Sequence, residues 1–209
     1  MGNRFSEIAF TPAVKAQQAA HGSRASYARA LEGEPWNDRL GPKEVEFIQA
    51  RDGFYLASVS ETGWPYVQFR GGAPGFLRVL DDRTLAWADF RGNRQYVSLG
   101  NVNGDDRVAL ILMDYANRRR LKLLAHAELR EVGADDGLAA RLAMPDYEAV
   151  VERAVLVKLA GFDWNCPQHI TPRFTLDEIE RATQPLRERV AELEAKLASC
   201  EGQGATPRR

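Results

Sequence analysis

The stretch FYLASVSETGWPYVQFRG, residues 54–71, decides the fold, because two runs rich in aromatic and β-branched residues flank the turn signal ETGWP. Such a pair of runs predicts an antiparallel hairpin. Residues 76–90, FLRVLDDRTLAWADF, predict a second hairpin with DDR as its turn. Similar runs recur at short intervals as far as about Gly161, which favours a barrel or a sandwich.

Further runs extend the predicted sheet. Residues 107–115, RVALILMDY, are apolar throughout their middle, which predicts a central strand buried on both faces. Between Leu121 and Arg130 apolar and polar residues alternate, so one face of that strand is expected to be buried and the other wet. Residues 153–162, RAVLVKLAGF, are expected to add a last strand.

Helical patterns flank and interrupt these strands. Residues 41–52, GPKEVEFIQARD, predict a helix that lies on the sheet. Residues 92–102, GNRQYVSLGNV, predict a short helix with Asn93 as its N-cap and Gly100-Asn101 at its end. Residues 133–152 have an amphipathic helical pattern as well.

A longer helix is predicted near the C-terminus, in residues 175–200. Leu186, Val190, Leu193 and Leu197 follow one another at spacings of 4, 3 and 4, which is the a/d pattern of a coiled coil. The stripe either packs on the protein's own body or pairs with a partner helix. We predict an N-terminal helical arm, a sheet domain, a C-terminal motif with a helix, and a disordered tail, at residues 1–42, 43–162, 163–200 and 201–209.

Composition excludes several classes of protein. With 28 basic and 29 acidic residues the net charge is −1, so a broad nucleic-acid surface is not expected. The apolar runs are too short to span a bilayer, and no secretory signal opens the chain, which favours the cytoplasm. With two cysteines and three scattered histidines, no metal site is expected.

Two segments suggest a phosphate site. In residues 87–101 a strand end leads through Arg91, Asn93 and Arg94 into a helix, and free N–H groups at a helix start favour phosphate. Arg70 precedes a glycine-rich loop, residues 71–75, in which the backbone can approach a flat ligand closely. The alternatives are that the arginines only solvate a helix end and that the glycines only connect strands.

This order of strands, with the loop and helix RGNRQYVSLGN before the buried strand, resembles the pyridoxamine 5′-phosphate oxidase-like family over residues 43–162. The resemblance implies a mainly β (α+β) fold: an FMN-binding split β-barrel of antiparallel strands with flanking helices and a C-terminal helix. It also implies a homodimer with FMN at the subunit interface.

Cofactor-binding residues follow from the same resemblance. Arg70 and Arg94 match the family's phosphate-binding arginines, Gln95 stands where the family usually has Lys, and Asn93 replaces a Ser. The flavin ring is expected to meet the backbone of Trp87 and Ala88. Arg120 falls where the family often has a Gln that reaches the flavin of the other subunit, and a guanidinium near flavin N1 and O2 would stabilise the anionic reduced form.

The C-terminal motif departs from true pyridoxamine phosphate oxidases. Residues 163–170, DWNCPQHI, stand instead of an RLH-like motif and resemble the ending of a subfamily, so vitamin B6 oxidation is not expected. Trp164, Asn165 and Gln168 are candidate substrate contacts, and His169 is the candidate for proton delivery. Trp164 is equally compatible with core packing, and Cys166 is expected to be a buried spectator.

The sequence therefore predicts an FMN-dependent oxidoreductase that acts on a small molecule by hydride transfer at flavin N5. Two alternatives stay open: an electron-transfer module served by a separate reductase, and a non-catalytic flavin-binding protein. The residues do not decide between FMN and a larger flavin such as F420 or FAD.

Overall fold

The computed structural model describes residues 3–29, 31–33, 36–131, 137–144, 147–164 and 166–204. The described residues form two compact units, the larger within Met1–Asp114 and Arg118–Ile170 and the smaller within Tyr115–Asn117 and Thr171–Arg209. Among them, no helix is both long and apolar enough to cross a membrane.

One seven-stranded antiparallel sheet forms the centre of the larger unit. Its strands are β1 Gly53–Val59, β2 Pro65–Gly71, β3 Arg78–Val79, β4 Thr84–Phe90, β5 Arg107–Asp114, β6 Arg119–Arg130 and β7 Val151–Trp164. Their order is β2-β1-β5-β6-β7-β4-β3. Both predicted hairpins, β1 with β2 and β3 with β4, are confirmed, as is the mainly β architecture.

The helices of the described residues are α1 Arg4–Ala9, α2 Pro12–Ala20, α3 Arg24–Arg29, α4 Pro42–Gln49, α5 Val97–Gly104, α6 Leu138–Leu142 and α7 Leu176–Gly204. Capping explains two of the starts. Thr11 accepts a bond from the Val14 N–H before α2. Thr175 and Glu178 cap each other's backbone N–H groups before α7, which is a capping box.

The main core lies on one face of the sheet, and a smaller apolar cluster around Ala86, Ala88 and Leu156 lies on the other face of β4 and β7. Alternate residues of the inner strands, such as Leu110 and Leu112 in β5, are completely buried. The Phe54 ring packs edge-on against Trp87, with 5.1 Å between centroids. Helix α4 covers this core with Ile48, also fully buried, and burying such a side chain contributes about 1.5–3 kcal/mol.

Strand β5 is not buried on both faces, contrary to the prediction. Its residues alternate between buried and open positions, and Ile111 is 38% exposed. The reason is that at β5 the core packs against one face of the sheet only, an arrangement that is common in antiparallel sheets. An apolar run in the middle of a strand therefore left an apolar outer face in the single chain.

The predicted start of α5 is also wrong. The helix begins at Val97 rather than after Asn93, and it continues to Gly104. Asn93 lies in the preceding loop, where its Oδ1 accepts a bond from the Gln95 N–H at 3.1 Å. Tyr96 occupies the N-cap position with φ 54°, so the left-handed backbone at Tyr96 delays the helix.

Two other helical predictions change in length. The amphipathic pattern of residues 133–152 becomes the short helix α6, and β7 starts at Val151; residues 132–136 and 145–146 lie outside the described residues. Helix α7 runs for 29 residues to Gly204, and the remaining residues of the expected tail, 205–209, are not among those described.

Candidate functional site

A polar cleft of about 190 Å³ lies where β2, the end of β4 and the start of α5 converge. Tyr66, Gln68 and Arg70 line it together because every second residue of a strand faces the same side. The other lining residues are Asp89, Phe90, Gly92, Asn93, Arg94, Gln95, Tyr96, Val97, Ser98, Leu99 and Glu152.

A carboxylate between two guanidinium groups organises the floor of the cleft. Asp89 accepts one bond from Arg70 and one from Arg153, both at 2.8 Å. Asp89 and Arg153 are direct cross-strand neighbours in β4 and β7, and Arg70 reaches the carboxylate from β2. The Nε atom of Arg70 is buried and has no hydrogen-bond partner among the described residues. Because buried donors are normally paired, this N–H is suited to an anionic ligand.

A second ion network closes the side of the cleft. Glu152 accepts bonds from Arg91 Nε at 2.9 Å and from the Tyr96 hydroxyl at 3.2 Å, and Arg153 lies 3.3 Å from its other oxygen. The pKa of Glu152 is lowered, mainly by the hydrogen bond from Arg91 and further by the bond from Tyr96 and the charge of Arg153. Glu152 is therefore an anion that holds the loop before α5 against β7.

The ion network around the cleft is nevertheless cationic. The charged residues that line the cleft, Arg70 and Arg94 against Asp89 and Glu152, balance. Arg91 and Arg153, the ion-pair partners of these carboxylates, bring the formal charge of the whole network to +2. Contact with the Tyr96 hydroxyl, and then the charge of Glu152, raises the pKa of Arg94, so this guanidinium stays protonated. A cluster with this excess charge attracts anions.

The start of α5 adds backbone donors to this charge. Val97, Ser98 and Leu99 form its first turn and line the cleft. Tyr96 makes no side-chain capping bond within the described structure, so these N–H groups remain at the positive end of the helix dipole. Arg94, with φ 62°, lies in the loop that leads into this turn. Together these groups can bind a phosphate.

Buried polar bonds fix α5 in this position. The Ser98 hydroxyl donates to Gln68 Oε1 at 3.0 Å, which connects the helix to β2. The Asn101 amide donates to the Ser58 hydroxyl at 3.0 Å in a buried contact with β1. These bonds hold the first turn of α5 beside Arg70.

A second cleft, of about 200 Å³, adjoins the first one. The two share Arg70, Asp89, Phe90 and Gly92. Its other lining residues are largely apolar or flat: Phe69, Gly71, Phe76, Trp87, Ala88, Arg91 and Tyr147. An elongated ligand with a phosphate at one end and a planar ring at the other has the chemistry that these neighbouring clefts match.

Most of the residues expected to bind the cofactor meet here. Arg70, Asn93, Arg94 and Gln95 line the first cleft, and Trp87 and Ala88 line the second. Arg120 lines neither. Its neighbour Leu121 faces the core, so Arg120 lies on the opposite face of the sheet, where its buried Nε lacks a partner in the described part of the chain.

The C-terminal candidates do not line either cleft in one chain. Trp164 donates from Nε1 to Glu44 at 2.7 Å and packs edge-on against Phe47 at 4.7 Å, which is a structural contact with α4. Gln168 and His169 are exposed. Asn165 lies outside the described residues. Cys166 is exposed, so the expectation that it is buried is wrong.

Sequence reasoning missed several polar residues of the cleft and its ion network, among them Asp89, Tyr96, Glu152 and Arg153. Asp89 had a detectable signal, because it follows Trp87 by two positions and therefore faces the same side of β4. Glu152 and Arg153 had none, since their place depends on the register of β7 against β4.

Comparison with known proteins assigns the family. Residues 40–164 match the sequence model of the pyridoxamine 5′-phosphate oxidase family. Proteins of this family are split β-barrels, and the antiparallel sheet with its flanking helices agrees with that class. This chain belongs to the pyridoxamine 5′-phosphate oxidase family.

Individual relatives are distant. A comparison with curated proteins found no match. Similar solved structures include HupZ of Group A Streptococcus, at 14% identity and a TM-score of 0.49 over 65% of this chain and 100% of that one. A proposed pyridoxamine 5′-phosphate oxidase of Lactobacillus delbrueckii is 23% identical, with a TM-score of 0.46 over 60% of this chain and 94% of that one. HutZ, the heme storage protein of Vibrio cholerae, is 18% identical, with a TM-score of 0.38 over 60% of this chain and 94% of that one. The family assignment rests on the family match and not on these likenesses.

Proposed function

We propose that this protein binds FMN in the two adjoining clefts and acts as an oxidoreductase on a small molecule. The observation that carries the proposal is the buried Nε of Arg70, which lines both clefts and has no partner among the described residues. The charge of +2 around it favours a phosphate monoester, which carries about −1.5 to −2 at pH 7. Membership of the family supports the same cofactor.

The phosphate is proposed to bind in the first cleft. Arg70 and Arg94 supply charged donors, and the first turn of α5 supplies backbone N–H groups. Asn93 and Gln95 supply neutral amides. Because Gln95 stands where the family usually has Lys, this chain has one charged contact fewer, and Arg70 carries a larger share of the binding energy.

The second cleft is the proposed place of the flavin ring, beside Trp87 and Ala88. When bound, FMN supplies hydride chemistry at N5. The protein's own part is to bind the phosphate, to orient the ring and to exclude water. Arg120 of a second copy is proposed to place positive charge near flavin N1 and O2, which stabilises negative charge there.

A homodimer is part of the proposal. Tyr55, Val59, Val67, Phe69 and Ile111 lie on the outer face of β1, β2 and β5 and are 37–60% exposed in one chain. They are neighbours across the strand register, and a continuous apolar face of this kind marks an interface. The substrate contacts Trp164, Asn165 and Gln168 and the proton donor His169 stay predictions, and we propose that they act across that interface. The cytoplasmic location stays a prediction as well.

A titration with FMN and with riboflavin tests the site. The two ligands share the ring, but riboflavin lacks the phosphate. We expect Arg70→Ala to weaken FMN binding about 10- to 100-fold, since a hydrogen bond to a charged group contributes about 1.5–3 kcal/mol. Riboflavin binding should change little. Arg39→Ala, which removes an exposed arginine paired with Asp82, is the matched control and should bind both ligands normally.

Three outcomes would contradict the proposal: no binding of FMN, equal loss of both ligands in Arg70→Ala, or binding of hemin that FMN does not displace. Anaerobic reduction of the FMN-bound protein then separates the readings of function. Reduction by NADH or NADPH supports an oxidoreductase that takes electrons directly. Reduction only through an added reductase supports an electron-transfer module, and no turnover supports a non-catalytic flavin-binding protein.

A further inference from the structure

We propose that α7 pairs with the same helix of a second copy of this chain, as a parallel two-stranded coiled coil. Helix α7 carries an apolar stripe of five residues along one side. They are 44–68% exposed in the single chain: Ile179, Leu186, Val190, Leu193 and Leu197. At 1.5 Å per residue the stripe is about 27 Å long.

The spacing of the stripe specifies the type of contact. Steps of four and three residues alternate from Ile179 through Thr183 to Leu197, which is a heptad repeat and not a general amphipathic face. Val190 lies at an a position, and Leu186 and Leu193 lie at d. A β-branched residue at a with leucine at d favours two parallel strands.

Charges beside the stripe favour a second copy of this helix in the parallel direction. In a parallel pair, a g residue faces the e residue five positions further along the other helix, so Arg189 meets Glu194 of the second copy, twice by symmetry. In an antiparallel pair g faces g, which brings Arg189 towards Lys196. The antiparallel pair also brings Arg187 towards Glu194, so it combines an attractive with a repulsive contact. The parallel pair has the attractive contact without the repulsive one, which favours the parallel arrangement.

Existing contacts do not oppose this pairing. Arg189 and Lys196 both bond Glu192 within the helix at 2.5 Å, with side chains 48–64% exposed. Exposed pairs of this kind are weak, so both cations can also engage a second helix. Pro185 lies at a c position, and the heptads from Leu186 onwards follow it without a break.

Disulfide trapping in the full-length chain tests the parallel register. Cys166→Ser and Cys200→Ser provide the background. Leu193→Cys places a thiol at d, and Glu188→Cys places one at f on the outer side as the matched control. We expect mild oxidation to give at least about tenfold more covalent dimer from Leu193→Cys, because equal d positions face each other in a parallel pair. Equal yields from both variants, or none, would overturn the proposal.

A charge exchange tests the partner's identity. Arg189→Glu and Glu194→Arg should each weaken dimerisation about fivefold in a sedimentation dilution series, because each puts like charges opposite one another. The double variant should recover the original affinity. Loss without recovery would overturn the pairing. At protein concentrations where these variants are still dimeric, their FMN titration should be unchanged, so failure of the coiled coil and failure of the flavin proposal give different results.

Discussion

Ion pairs occur in two contrasting settings in this protein. At the cleft, the Asp89 side chain is 10% exposed and lies between Arg70 and Arg153, which are 21% and 13% exposed. On α7, the Glu192 side chain is 48% exposed and also lies between two cations. Bond length does not follow burial, since the bonds are 2.8 Å in the buried triad and 2.5 Å in the exposed one.

The two triads differ in their exposure to water. On α7, solvent screens the charges and competes for every donor, so such pairs add little to stability. At the cleft, folding has largely removed Asp89 and its two arginines from water. Loss of one partner therefore leaves buried charge that is no longer fully neutralised. The cleft network thus fixes side-chain positions, whereas the helix network mainly keeps a surface soluble and free to bind.

The largest expected effect is at Asp89. Asp89→Asn should lower the free energy of unfolding by about 2–3 kcal/mol, because it leaves the partly buried Arg70 without a counter-charge and Arg153 with Glu152 alone. Urea denaturation of the FMN-free protein measures the change. Asp82→Asn removes an exposed partner of Arg39 and should cost less than about 0.5 kcal/mol. Equal losses in both variants would remove the contrast between the two settings.

The next effect concerns a neutral buried contact in the cleft region. Asn101→Ala should cost about 1–2 kcal/mol of unfolding free energy, because the Ser58 hydroxyl loses its partner inside the protein. Since this bond holds α5, FMN binding should weaken as well. A matched change on an exposed helix, Gln184→Ala, breaks a surface bond to Glu188 and should leave both quantities nearly unchanged. Similar losses in the two variants would argue against a special role of burial.

Salt provides a finer test. Bonds from Arg91 lower the pKa of Glu152, and bonds from Lys196 and Arg189 lower that of Glu192. A carboxylate with a lowered folded-state pKa stabilises the protein above its unfolded-state pKa, and this contribution disappears as the pH falls through the folded-state value. At about 1 M salt the Debye length is near 3 Å. NMR titration should then show the Glu192 shift largely abolished, while Glu152, with 11% of its side chain exposed, retains more of its shift.

The smallest effect is expected on α7 itself. Glu192→Gln removes the carboxylate shared by Arg189 and Lys196, yet thermal unfolding should change by less than about 0.5 kcal/mol. A loss above about 1 kcal/mol would indicate that this surface network is stronger than exposed pairs normally are.

Sequence reasoning located most of the site because its signals are local. The hairpin signals placed Arg70 and Trp87 in neighbouring segments, and alternation along β6 was confirmed from Leu121 to Ala127. The loop at Arg94 was recognised from its position between a strand and a helix. The start of α5 was predicted too early, because residue types do not reveal the left-handed backbone at Arg94 and Tyr96.

Tertiary structure alone decided how the charges are arranged. Glu152 and Arg153 enter the cleft through the register of β7 against β4, which shifts between Asp89 and Phe90. Register depends on the whole sheet, and no short segment encodes it. Burial, too, is a property of the folded chain, so only the structure separated the Asp89 network from the Glu192 network. The sequence determined which groups are charged and which strands form, and packing determined which charges water still reaches.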